Sequence, residues 1–163
     1  MTAQEIIALL NLEPLEMEGG YFRQNYRNKA SWNEHKPMST AIYFLLTPET
    51  YSCLHRLPND EVYHFYLGDP VELLVLDDEG RGSVRILGSD LASGMQVQTA
   101  VPAQTWQGSR LCPGGSWALL GTTMAPGFTD DDFTAMPDET LQRLCTVRPE
   151  LQELLQVLRK QEA

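Results

Sequence analysis

Lysine, cysteine and histidine each occur only three times in 163 residues. The scarcity of lysine leaves 12 positive side chains against 22 Asp and Glu, a formal charge of −10. So acidic a chain repels phosphate backbones, and nucleic acid is not an expected partner. Cys53, Cys112 and Cys145 are odd in number and lack metal-ligand spacing. They read as reduced, buried thiols of a cytoplasmic protein. Long apolar runs are missing too, and Glu5 follows Met1 closely with no basic stretch, so neither a signal peptide nor a membrane is expected. Strand–helix–strand alternation is absent, which removes a Rossmann-type cofactor site.

What is present is mostly β texture. With 42% hydrophobic and 21% charged residues the chain has an ordinary folded composition, and its length suits one domain, 1–163. Thr2 and Glu5 form a capping box ahead of Ile6, Ile7, Leu9 and Leu10, so a short helix opens the chain. After Gly19-Gly20 a strand is expected over Tyr21–Arg27, and then a polar loop that holds His35. From Ser39 to Met124, short β-rich runs alternate with turn signals such as Pro58-Asn59-Asp60, Gly68-Asp69-Pro70 and Pro113-Gly114-Gly115. One of these runs covers Met95–Val101. Regular spacing of this kind indicates an all-β sandwich or barrel. Asp130-Asp131-Asp132 reads as a solvated turn or helix start, and two short helices are expected near Asp138–Cys145 and Pro149–Arg159.

The chemistry concentrates in Ser52–Gly68, which holds His55, Glu61 and His64. Side chains alternate faces along a strand, so His55 and Leu57 share one face, and Glu61 shares its own with Tyr63 and Phe65. His55 and Glu61 can then meet inside a barrel, while His64 falls on the opposite face with Val62 and Tyr66.

At these residues the chain resembles the cupins. Their first motif is represented by His55, Glu61 and Gly68, with Leu57 in place of a second His. Their second motif is represented by Pro102-Ala103-Gln104-Thr105-Trp106-Gln107, with Gln107 in place of a third His. Five blocks, Glu18–Arg23, Ser39–Leu46, Asp60–Tyr66, Pro102–Gly108 and Ala125–Phe128, resemble one branch, the DUF985 or cupin_5 family. The resemblance implies a cupin double-stranded β-helix, a jelly-roll barrel with one short N-terminal helix and two short C-terminal helices. It also implies a homodimer, for which Tyr21–Arg27 is a candidate exchanged strand, and kinship in fold with the sugar epimerases.

Two readings follow. In the first, the chain is a metal-independent epimerase or isomerase acting on a sugar or sugar nucleotide. His55 is its base, since a neutral imidazole titrates near working pH. Glu61 is the second catalytic group, Asp132 a candidate to orient His55, and Tyr63 or Tyr66 a candidate acid. In the second, a non-catalytic barrel binds a small polar or anionic ligand through Arg23, Tyr43, His64, Tyr66 and Gln107. Arg56 and Arg110 are further candidates for a phosphate, and Tyr43, Tyr63, Phe65 and Trp106 or Trp117 for an aromatic wall. A divalent metal on His55, Glu61 and Gln107 is disfavoured, because an amide is a weak ligand and Leu57 donates nothing.

Overall fold

The computed structural model describes residues 1–160. A helix α1 (Ala3–Leu10) precedes strands β1 (Glu13–Pro14), β2 (Tyr21–Arg27), β3 (Thr40–Leu46), β4 (Ser52–Arg56), β5 (Glu61–Gly68), β6 (Val71–Leu76), β7 (Gly82–Leu87), β8 (Gln98–Val101), β9 (Trp106–Leu111), β10 (Ala118–Met124) and β11 (Thr134–Ala135). Helices α2 (Asp138–Val147) and α3 (Gln152–Val157) follow. The strands form two sheets, β1-β2-β3-β10-β5-β8 and β11-β4-β9-β6-β7. All their pairings are antiparallel. The two sheets face one another as the expected jelly roll. No described helix is long and apolar enough to cross a membrane.

Alternation sorts the side chains into three apolar layers. Phe44, Leu46, Tyr63, Phe65, Val71, Leu73, Val75, Leu111, Ala118 and Leu120 fill the space between the sheets. On the outside of the first sheet, Ala3 and Ile6 of α1 pack with Leu12, Leu45 and Leu119. On the outside of the second, Leu141, Leu144, Leu154, Leu155 and Leu158 from the C-terminal helices cover Leu54, Leu74, Leu76 and Trp106. The capping box forms: Glu5 N donates to Thr2 Oγ1 at 3.2 Å, and Thr2 N to Glu5 Oε2 at 2.7 Å. Asn11, left-handed at φ 50°, ends α1.

Four local details differ from expectation. The run from Met95 pairs as a strand only from Gln98, because a 3₁₀ turn at Leu91–Ser93, capped by Asp90, delays entry to the sheet. Pro149–Leu151 is a separate 3₁₀ turn ahead of α3, since Leu151 sits at φ −101° and ψ 0°, outside helical geometry. Glu13 and Pro14, outside any expected strand, form β1, with Pro14 opposite Tyr21. The two-residue strand β11 pairs with Arg56 and His55 on the free edge of β4.

Replacing Leu155, fully buried under the second sheet, with Ala should cost about 3 kcal/mol in urea unfolding. A loss below about 1 kcal/mol would mean that the helical layer adds little to the fold.

Candidate functional site

The apolar plug fills only part of the barrel. Toward the ends of β3 and β10 that carry Thr40 and Met124, a cavity of about 60 Å³ remains, lined by Phe22, Gln24, Ile42, Leu57, Glu61, Thr122 and Phe128, among others. Leu15, Met17 and Glu18 close one side of it. Glu18 and Glu61 are its only ionisable lining residues, and no described Lys or Arg lines it.

His55 and Gln107 lie behind this lining, opposite each other on β4 and β9. Both are buried. Gln107 Nε2 donates to Glu61 Oε2 at 2.8 Å. The ring of His55 is held from two directions. Its Nδ1 lies 2.7 Å from the Cys53 carbonyl, which can only accept, so Nδ1 carries the proton. Phe133 stacks on it at 5.0 Å between centroids, with 19° between the planes. Nε2 has no hydrogen-bond partner, and Glu18 Oε2 stands 3.9 Å away. The opposite oxygen of Glu18 accepts from Ser52 Oγ at 2.5 Å.

Strict alternation would put Ser52 and His55 on opposite faces. The register between β4 and β9 slips between these two residues, which turns both inward. Glu18 reaches them because Cys53 N donates to the Glu18 carbonyl at 2.9 Å. The next two residues, Gly19 at φ +109° and Gly20 at φ +74°, leave no room for a side chain: a Cβ on Gly19 would lie 2.1 Å from the Tyr51 carbonyl oxygen.

Burial shifts Glu61, Tyr63 and Cys53 upward. The carboxyl of Glu61 is raised first by loss of solvent and then by the neighbouring charge of Glu18; His55, Thr122 and Gln107 oppose this. Tyr63, buried beneath, is raised by burial and by the same two carboxylates. The Cys53 thiol is pushed up to about 12, mainly by burial, and is therefore not a nucleophile at neutral pH.

The structure thus brings together His55, Glu61 and Gln107 of the expected residues. It places Arg23, Tyr43, His64 and Tyr66 elsewhere, on the outer face of the first sheet, because their strand positions alternate away from the barrel. Arg23 Nη1 donates to the Leu10 carbonyl at 3.1 Å, and His64 Nε2 lies 3.1 Å from Thr123 Oγ1. Tyr66 stacks near His64 and meets Tyr43 edge-on, with its ring over Gly121. Arg56 covers Trp106 on the outside of the second sheet, and Arg110 pairs with Glu72 at 2.7 Å. Trp106 and Trp117 belong to the outer apolar layers, so of the expected aromatic wall only Tyr63 and Phe65 face the interior. Asp132 is engaged by Lys36 and by Thr129 N, while Glu18 takes the place beside His55. Glu18 was not among the expected site residues; its sequence signals are its position just before Gly19-Gly20 and its place at the head of the block Glu18–Arg23.

A divalent metal does not fit this donor set. One imidazole, two carboxylates and an amide are present, Leu57 stands where a second imidazole is needed, and one Glu61 oxygen is already taken by the Gln107 amide. Among the described residues no group of three His, Cys, Asp or Glu side chains is placed to hold an ion.

Comparison with known proteins places this geometry. An uncharacterized protein of Saccharomyces cerevisiae is 28% identical over 140 residues, 75% of this chain and 69% of that one. A crystal structure from Shewanella oneidensis superposes with a TM-score of 0.88 at 31% identity, over 99% of both chains. A hypothetical protein from Leishmania major gives 0.83 at 28% identity, over 99% of this chain and 100% of the other. At 14% identity, a cupin 2 domain-containing protein from Halorhodospira halophila shares the fold, with a TM-score of 0.60 over 89% of this chain and 86% of that one. The DUF985 model of the cupin superfamily matches residues 4–136, and the chain belongs to that family.

Proposed function

We propose that the barrel binds a small molecule and moves a proton on it without a metal, as an isomerase or epimerase does. The supporting observation is the pair of carboxylates lining one cavity in unlike settings. Glu61 is driven toward its protonated form by burial and by Glu18, while Glu18 holds a Ser52 hydrogen bond on one oxygen and has its other oxygen toward His55. Two carboxyls of one site held in unlike environments can serve as base and acid. In this reading Glu18 accepts a proton from the ligand and Glu61 returns one. His55, expected to be the base itself, acts through Glu18 as a positioning residue. A cavity of about 60 Å³ takes a head group of a few atoms, so a whole sugar nucleotide would remain largely outside it.

A second reading, binding without turnover, draws support from the burial of His55 behind the lining residues, where no imidazole touches a ligand. One experiment separates the two. Small metabolites that raise the melting temperature are incubated with the protein in D₂O. The proton-transfer reading expects deuterium at a carbon of the ligand with wild type, and none with Glu18→Gln or Glu61→Gln. A thermal shift with no deuterium incorporated by the wild type would leave only the binding reading.

The raised carboxyl also sets a pH dependence. Glu61 holds its proton more tightly when folded than when unfolded. Its contribution is therefore complete below the ordinary glutamate range and is lost as pH climbs through the folded value. Glu61→Gln keeps the shape and removes the titration. At neutral pH the variant should melt a few degrees above wild type, and the gap should close as pH falls toward 4. A variant less stable than wild type at neutral pH would mean that Glu61 is comfortably ionised in the fold.

A further inference from the structure

We infer that the head group taken by this cavity is an organic ammonium; the inference rests on reading the cavity as the ligand site and adds the charge of what enters it. Three observations carry it. First, the lining has two carboxylates and no described cation. The nearby basic residues are engaged elsewhere: Lys36 with Asp132, Lys160 over the Phe133 ring at 5.3 Å, Arg23 on the Leu10 carbonyl, Arg110 on Glu72.

Second, two buried side-chain atoms directly behind the carboxylates of the lining lack any partner, His55 Nε2 and Gln107 Oε1. Both are acceptors. The Cys53 carbonyl fixes the proton of His55 on Nδ1, leaving a lone pair at Nε2 in the neutral ring, directed toward Glu18 at 3.9 Å. Gln107 spends its amide nitrogen on Glu61, leaving the oxygen. The gap of 3.9 Å is also too long for a hydrogen bond to Glu18 Oε2. His55 thus offers Glu18 Oε2 no donor, and an ammonium in the cavity brings up to three to the lining carboxylates, where a hydroxyl brings one and a carboxylate none.

Third, the rest of the lining suits the body of such a ligand. Phe22 and Phe128 offer aromatic rings to a cation, and Leu15, Ile42, Leu57 and Met124 offer apolar surface to a short chain. An ammonium beside Glu18 also offsets the negative charge that Glu18 presses on Glu61.

The test uses three probes of equal length, butylammonium, 1-butanol and butyrate, titrated into the full chain while the methyl signals of Met17, Ile42, Leu57 and Met124 are followed by NMR. Butylammonium should shift these methyls saturably and bind at least about tenfold more tightly than 1-butanol. Butyrate should leave them unmoved. Glu18→Gln, checked for an intact spectrum, should weaken the ammonium at least about tenfold. If 1-butanol or butyrate binds as tightly as butylammonium, the charge assignment fails while the cavity stands as a ligand site. If Mn²⁺ or Zn²⁺ occupies the same methyl-lined space at micromolar concentration, the cation is a metal and the inference fails. If no probe moves these methyls, it fails as well, and the deuterium experiment judges proton transfer separately.

Discussion

The structure turns on how two residues of β4, Cys53 and Leu54, satisfy their main-chain groups. The slip in the β4–β9 register takes this stretch out of regular pairing. Buried N–H and C=O groups left without partners would be expensive. Each of the four finds one outside the β4–β9 ladder. Cys53 N donates to the Glu18 carbonyl and the Cys53 carbonyl accepts from the His55 ring, while Leu54 N donates to Leu158 and the Leu54 carbonyl accepts from Met136 N. These four bonds tie the segment before β2, the His55 ring, the β11 edge and the end of α3 to a single point. They also fix the tautomer of His55 and deliver Glu18 to it.

That arrangement divides the barrel. Beyond Tyr63 the interior is a closed apolar plug with large aliphatic and aromatic side chains. On the near side the same inward-facing rows of β3, β5 and β10 change to Thr40, Ile42, Glu61 and Thr122, and a cavity opens. The plug supplies hydrophobic stability and the open end spends part of it, since a carboxylate next to another carboxylate in a dry site disfavours the folded state at neutral pH. The unfavourable charge of Glu61 beside Glu18 thus borders an open cavity.

Much of this was legible beforehand, for definite reasons. Period-2 patterning and turn residues located nearly every strand, because jelly-roll strands bury one face and their turns need Gly, Pro, Asn and Asp. Parity placed Glu61, Tyr63 and Phe65 inward and His64 outward, since β5 runs without irregularity through these residues. The same rule also places Tyr43 and Tyr66 outside; expecting them at the ligand site put the chemistry of tyrosine above its position. Parity fails at Ser52, where the slip reverses it. It also says nothing of Glu18, which lies outside any strand and is brought in by backbone bonds to β4 over a long sequence separation.

What the sequence by itself determined is the architecture and the family: spacing of turns, alternation along strands, capping at Thr2 and the motif residues His55, Glu61, Gly68 and Gln107 are local signals readable without contacts. Only the tertiary structure decided the site. Which acid stands beside His55, whether the imidazole touches the cavity, and which arginines are already occupied depend on long-range pairings. Charge and solvent exclusion are properties of the assembled cavity, so the balance of two carboxylates without a cation could be seen only once the chain had closed around them.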